Sequence, residues 1–417
     1  MSTESQPLVG ALDEPTVNVR RGYIGAVFLA NFGIVLAFFT PIQNLLPRLA
    51  EVADPANKEG ALAWIAGAGA AASIVFNPLA GALSDRTTSR LGRRRPWVLW
   101  GSIAGACGIA ALAFSSTVLG LACIWFFCQA TINGSYAAVT ATIPDQVPVP
   151  QRGLVSGWVG LASTLGVVVG VALVSFVVPD LKAGILLTAV LLVVLCLPFA
   201  LGLKDIVLDA SQRPEFHLWT WLGGFWVSPR LYPDFGWAWL TRFLMMLGNS
   251  MATLYLLFWL KDEVHYENPD QGQTVLIGLY ALGTMATAVI FERLSDRSGR
   301  RKIYVIVSTV VMAVAAVLLA FFPVFDAAMV AALILGLGYG MYLSVDQALV
   351  TQVLPRAIDR GRDLGVINIA NSAPQVLAPV IALPLVKGAS GYTGLYLATA
   401  AITLLSAVLV TRIRSVP

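Results

Sequence analysis

Charge is what this sequence has least of. Of its 417 residues only 12% are Asp, Glu, Lys or Arg, about half the share of an average soluble domain. A chain this poor in charge cannot cover a water-facing surface of its own size, which excludes a soluble enzyme and a nucleic-acid binder. Cysteine is scarce as well. The four present, Cys107, Cys123, Cys128 and Cys196, all fall in apolar stretches at no spacing that fits a disulfide framework or a metal site. A secreted disulfide scaffold is therefore excluded. No nucleophile constellation, metal-ligand cluster or phosphate-binding loop is present, so neither catalysis nor a cofactor is expected. Residues 1–21 are polar and lack a small-residue cleavage site before the first apolar run, so a cleaved signal peptide is not expected.

What is there is apolar sequence: 57% hydrophobic residues and a mean hydropathy of +0.77. Eleven stretches of 18 or more residues carry no charge: 22–47, 60–84, 96–144, 153–179, 183–203, 243–260, 271–291, 303–325, 327–345, 364–386 and 388–411. A spanning helix needs about 20 mostly apolar residues. The third stretch is long enough for two spans, with Ser115, Ser116 and Thr117 as its polar turn, which predicts twelve transmembrane helices. With the N-terminus cytoplasmic, 21 of the basic residues fall in inside segments and five outside, at Arg48, Lys58, Lys182, Lys261 and Lys387. This bias fixes the expected orientation, both termini inside a bacterial-type inner or plasma membrane. The excess of four positive charges sits in short loops beside the spans and implies no nucleic-acid partner.

The chain repeats itself. Gly81 to Pro96, after span two, contains Asp85-Arg86 and then Arg90-Leu91-Gly92-Arg93-Arg94-Arg95. After span eight, Asp296-Arg297-Ser298-Gly299-Arg300-Arg301 follows the same pattern 207 residues on. Gly134-x-Tyr136 recurs as Gly340-x-Tyr342 at an offset of 206, and Gln146-Val147 with Arg152-Gly153 recurs as Gln352-Val353 with Arg360-Gly361. A near-constant offset predicts a duplicated six-helix half, and such paired halves place their sites at the interface between them. The expected division is a cytoplasmic tail 1–21, an N-terminal half 22–203, a linker 204–235, a C-terminal half 236–413 and a tail 414–417. Five tryptophans crowd the linker and its end (Trp219, Trp221, Trp226, Trp237, Trp239). They point to a segment lying on the inner membrane surface or to a loop packed under the bundle.

Asp-Arg followed by Gly-Arg-Arg-Arg, repeated between the halves, resembles the signature loop of the major facilitator superfamily. That resemblance covers the whole chain. It implies an all-α membrane protein of two pseudo-symmetric six-helix halves, working by alternating access as a monomer, with spans 1, 4, 7 and 10 around a central cavity. It also implies that Asp85 and Asp296, with the neighbouring arginines, latch the cytoplasmic side when the other side is open. The run Arg90 to Trp97, with Pro144-Asp145, is similar to the sucrose-transporter-like branch. This likeness suggests a neutral sugar or glycoside as substrate and a proton as coupling ion. Proton-coupled export of a drug or metabolite is the alternative, although span five lacks the Gly-Pro pattern of the superfamily's drug/proton antiporters.

A charge inside lipid costs at least about 2.5–3.5 kcal/mol on insertion scales. Asp346, within 327–354 read as one span, therefore reads as a proton carrier or as a structural acid paired with a neighbouring helix. Asp145, which aligns with a span-four acid of the sucrose-transporter-like branch, is a second coupling candidate. Arg242, at the head of span seven, either snorkels to the inner headgroups or pairs with Asp346. The candidate substrate ligands are neutral: Asn31, Gln43, Gln129, Asn133, Tyr136, Asn249, Tyr255, Tyr339, Tyr342, Gln347 and Asn371. Amides and hydroxyls both donate to and accept from a polyol, and aromatic faces stack on its C–H faces. Helix-to-helix hydrogen bonding explains such residues equally well. In span five, Gly153-x-x-x-Gly157 and Gly166-x-x-x-Gly170 predict close helix contacts.

Overall fold

The computed structural model describes residues 15–209, 211, 230–298, 301–353 and 360–414. These residues form an all-helical bundle whose spans follow the charge-free runs. The N-terminal half holds α1 (Arg21–Ala53), α2 (Lys58–Ser84), α3 (Arg95–Leu112), α4 (Val118–Gln146), α5 (Val149–Val177) and α6 (Leu181–Gly202). The C-terminal half holds α7, broken into Pro233–Leu254 and Leu256–Asp262, then α8 (Pro269–Ser298), α9 (Arg301–Phe321), α10 (Phe325–Val353), α11 (Arg360–Lys387) and α12 (Gly391–Val410). Among the described residues nine helices are long and apolar enough to cross a membrane alone, and the bent α7 makes a tenth. The other two, α3 and α8, hold equivalent places among the spans of their halves.

The duplication is visible in the packing. In each half the first helix packs on the fifth and sixth, the second on the fourth, and the third on the fourth and sixth. The halves meet chiefly through α2 against α11 and α5 against α8. Large apolar side chains such as Trp100 and Leu119 stand exposed on the outer faces, as a lipid-facing surface requires. Most of the linker, with Trp219, Trp221 and Trp226, lies outside the described residues.

Three departures from regular helix shape the centre. In α1 a π-turn occupies Pro41–Leu45, where the proline lacks the N–H that an unbroken ladder would use. A matching π-turn ends α5 at Leu173–Val177. In α7 the break falls at Tyr255 (φ −104°, ψ 15°), and the two pieces meet at 40°.

The two small-residue motifs of α5 part company. A Cβ on Gly166 would stand 2.9 Å from the Phe32 carbonyl oxygen, and one on Gly170 only 2.1 Å from Thr40 Oγ1, so this pair seats α5 against α1. Gly153 and Gly157 have nothing within 4 Å. The sequence expectation of close contact fails there because that stretch of α5 turns these positions away from its neighbours. Gly166→Val is accordingly expected to cost about 1–3 kcal/mol by forcing the helices apart, and Gly157→Val close to nothing. Thermal unfolding of the two purified variants checks this.

Candidate functional site

A cavity of about 300 Å³ lies between the halves. From the N-terminal half it is lined by Phe39 and Gln43 of α1, Ser73 of α2, and Trp125 and Gln129 of α4. From the other half come Asn249, Ser250 and Thr253 of α7, Tyr280 of α8, Tyr339 of α10, and Asn371 and Gln375 of α11. Amides, hydroxyls and aromatic rings alternate with alanine, leucine and isoleucine. Among the described residues no lining side chain is charged.

Each half braces its share of this wall. On α4, Gln129 Oε1 accepts from Ser73 Oγ at 2.8 Å and from Asn133 Nδ2 at 3.0 Å. Asn133 Nδ2 also donates to the Gln129 carbonyl at 2.8 Å, and its Oδ1 accepts from Asn77 Nδ2 at 3.1 Å. On α7, Asn249 Oδ1 accepts from the Tyr280 hydroxyl at 3.2 Å.

Beside the C-terminal wall, away from the helix ends, lies a buried ion pair. Arg242 Nη1 stands 2.9 Å from Asp346 Oδ2, with side chains only 9% and 5% exposed. Arg242 Nε donates to Asn371 Oδ1 at 2.7 Å. The acid of α10 and the base of α7 are thus joined through one amide of α11 to the cavity. Of the two partners open to Arg242, headgroups or Asp346, the side chain is placed against Asp346 in this structure. The helix begins at Pro233, so the guanidinium starts about 14 Å inside its end at 1.5 Å per residue, and it turns inward to Asp346.

The structure also sorts the sequence-derived ligands. Gln43, Gln129, Asn249, Tyr339 and Asn371 line the cavity, and Asn133 supports it from behind Gln129. Asn31 does not reach it, because its amide donates to the Val159 carbonyl at 3.0 Å and to Ser163 Oγ at 2.7 Å, tying α1 to α5. Tyr136 packs edge-on against Phe38, with ring centroids 6.0 Å apart. Tyr255 is fully buried at the break in α7, where its hydroxyl donates to the Glu59 carbonyl at 3.4 Å across the halves. Tyr342 is fully buried one turn before Asp346 and does not line the cavity. The Gln347 side chain lies outside the described residues. Missed as ligands were Ser73, Trp125 and Tyr280; only their rotation about the helix axes brings them inward, and no local pattern marks it.

At the end of the bundle that carries both termini, the first motif loop forms a network within the N-terminal half. Arg93 Nη2 and Arg94 Nε bind Asp145 Oδ2 at 2.7 and 2.8 Å, and Arg94 also binds Asp85 and Ser84. Burial works against the Arg94 charge, but Asp145 and then Asp85 outweigh it and raise its pKa above the ordinary arginine value. Gly92 holds φ +99°, and a Cβ there would strike Asp205. Asp205 in turn accepts from Arg95 N at 3.0 Å and from Gln146 Nε2 at 3.0 Å. Arg95 Nε donates to the Ala200 carbonyl at 2.7 Å. Arg90 is exposed and Arg86 half-buried. Asp145 thus sits among gate arginines, away from the cavity. In the second motif, Arg301 opens α9; Gly299, Arg300 and the side chains of Asp296 and Arg297 lie outside the described residues.

At the opposite end the halves are bonded to each other. Lys58 Nζ meets Asp262 Oδ1 at 2.6 Å, Asn44 Nδ2 donates to Asp270 Oδ1 at 2.7 Å, and Thr274 Oγ1 donates to Ser175 Oγ at 2.9 Å. Lys261 pairs with Glu51, and Lys387 donates to Asn57. These contacts close the bundle on the side opposite the termini.

Comparison with known proteins adds family and fold. The family model of the Major Facilitator Superfamily matches residues 24–277 and 238–417. Over 80 residues the chain is 35% identical to the general alpha-glucoside permease of Schizosaccharomyces pombe, a match that spans 19% of this chain and 13% of the permease. Among solved structures, the nucleoside transporter NupG superposes with a TM-score of 0.72 at 13% identity, over 94% of this chain and 99% of that one. The human organic anion transporter MFSD10 (TETRAN) does so at 0.69 and 18% identity, with the same coverage. A POT family transporter in complex with a thioalcohol-conjugated peptide reaches 0.73 at 12% identity, over 93% and 95%.

Proposed function

Because the chain belongs to the major facilitator superfamily and is a multi-pass membrane transporter, we propose that it carries out proton-coupled symport of a neutral sugar or glycoside by alternating access. The observation that carries this reading is the described wall of the cavity: neutral amides, hydroxyls and aromatic faces from both halves, with no fixed charge among the described residues. Such a lining suits a polyol and offers nothing to neutralise an organic anion or a sugar phosphate. The local likeness to an alpha-glucoside permease agrees with it. With the basic loops and termini cytoplasmic, the closed end faces outward.

Asp346 is the proposed proton carrier. Ionised, it holds Arg242, which holds Asn371 in the cavity wall. Neutralised, it no longer holds the guanidinium, and the bond to Asn371 is free to change. Proton and substrate would then report to each other through one bond of Arg242, as linkage between two sites requires. Asp145, already engaged by two arginines, serves the gate in this scheme.

The test is transport in proteoliposomes. An inward proton gradient is expected to drive accumulation of labelled methyl α-glucoside, and Asp346→Asn to abolish that accumulation while retaining counterflow exchange. Accumulation only with the gradient reversed would mark an exporter. Undiminished gradient-driven uptake in Asp346→Asn would remove Asp346 from coupling.

A further inference from the structure

We infer that Gln129 sets substrate specificity by presenting amide N–H donors, so that the transported molecule is recognised there by its acceptor oxygens. This rests on the cavity being the substrate site.

Amide orientation is usually ambiguous, because the oxygen and nitrogen ends look alike. Here the surroundings fix it. The Gln129 carbonyl oxygen can only accept, so the Asn133 atom 2.8 Å from it must be the amide nitrogen. That same nitrogen lies 3.0 Å from the Gln129 side chain. Two amide nitrogens cannot usefully face each other, so the Gln129 atom there is Oε1. Ser73 Oγ donates to the same oxygen at 2.8 Å. Oε1 is therefore turned into the protein, toward Ser73 and Asn133, and Nε2 is the end left for a ligand.

The Asn371 oxygen is likewise committed, to Arg242 Nε, which can only donate, at 2.7 Å. On each side of the cavity a wall amide thus has its oxygen turned into the protein. A ligand hydroxyl meeting Gln129 accepts there instead of donating. A carbonyl or an ether oxygen would satisfy the same position; a group that only donates would leave two N–H groups opposed.

The experiment measures binding to the purified full chain by thermal shift. The probes are methyl α-glucoside, its 2-, 3-, 4- and 6-deoxy forms and the corresponding deoxyfluoro forms. Removing the hydroxyl that meets Gln129 is expected to weaken binding about tenfold. The deoxyfluoro analogue at that position, which keeps an acceptor and loses the donor, is expected to retain most of the affinity. Gln129→Glu keeps an oxygen for Ser73 and Asn133 but turns an acceptor toward the ligand. It should fold with a melting temperature lowered by the cost of a buried carboxylate and, read as each protein's own ligand-induced shift, bind the parent glucoside at least about tenfold more weakly. Deoxyfluoro forms as weak as the deoxy forms at every position, or wild-type affinity in Gln129→Glu, would overturn the inference and leave the sugar reading intact. If no glucoside binds, uridine is the deciding probe. Stabilisation of the wild type by uridine, lost in Gln129→Glu, would sink the sugar reading and keep the donor rule. No stabilisation by uridine either would overturn both.

Discussion

Arg242→Met is expected to cost about 3–5 kcal/mol of folding stability and to abolish gradient-driven accumulation. The magnitude follows from burial. Both side chains of the Arg242–Asp346 pair are nearly inaccessible, and removing one partner of such a pair leaves the other without compensation. Asp346 is itself only 4% exposed, so its charge would stay buried. Asp346→Asn should cost less, because Arg242 keeps its bond to Asn371 and has a long stem with which to reach toward the end of α7. Adding Asp346→Asn to Arg242→Met should therefore return most of the lost stability, since nothing charged is then left buried. Transport coupling should stay lost in the double variant, because the group that binds the proton is gone. Thermal unfolding of the four proteins in detergent gives the cycle. A double variant no more stable than Arg242→Met would mean that the two charges do not act as a pair.

How much of this was legible beforehand depends on the kind of signal. Spans were legible because lipid allows few charges, so runs without charge mark helices almost residue by residue. The same criterion hid Arg242. A charge ends a run by definition, so the run 243–260 put the arginine at a boundary, whereas the helix starts at Pro233. Asp346 escaped that fate only because the apolar pattern continued beyond it to residue 354. Duplication was legible because two loops with the same glycine and arginine spacing sit at one offset. Cavity membership was only half legible. Asn31 and Gln43 are both amides on α1, but a π-turn lies between Asn31 and the end of that helix, and it changes which face Gln43 presents. Composition names the residue types and not their rotation. Contacts at the closed end were not legible at all. Lys58 and Asp262, or Asn44 and Asp270, lie more than 200 residues apart, and each looks like an ordinary loop charge or helix amide in its own neighbourhood.

Those unforeseen contacts lead to the other large effect, a reversible lock. Ser175→Cys combined with Thr274→Cys is expected to stop transport almost completely on oxidation and to recover it on reduction. The two hydroxyl oxygens are 2.9 Å apart and buried between α5 and α8, helices of opposite halves. Sulfur stands farther from Cβ than oxygen does, so two thiols in these places fall within reach of the roughly 2.05 Å of a disulfide bond. The bond would fasten the halves at the end where this conformation is already closed, so it should form without disturbing the cavity. Thermal stabilisation by methyl α-glucoside should persist in the oxidised protein, while accumulation in proteoliposomes should fall to background. Each single variant should be indifferent to oxidant. The four native cysteines lie on α3, α4 and α6, on neither helix of the lock. Charge reversal at the same end is the gentler counterpart. Lys58→Glu against Asp262 removes one cross-half attraction and should shift the population of the two states without abolishing either. Alternating access requires that Ser175 and Thr274 separate once in every cycle. A protein that is fully cross-linked there and still accumulates substrate at the wild-type rate would show that the halves do not part at this end during transport.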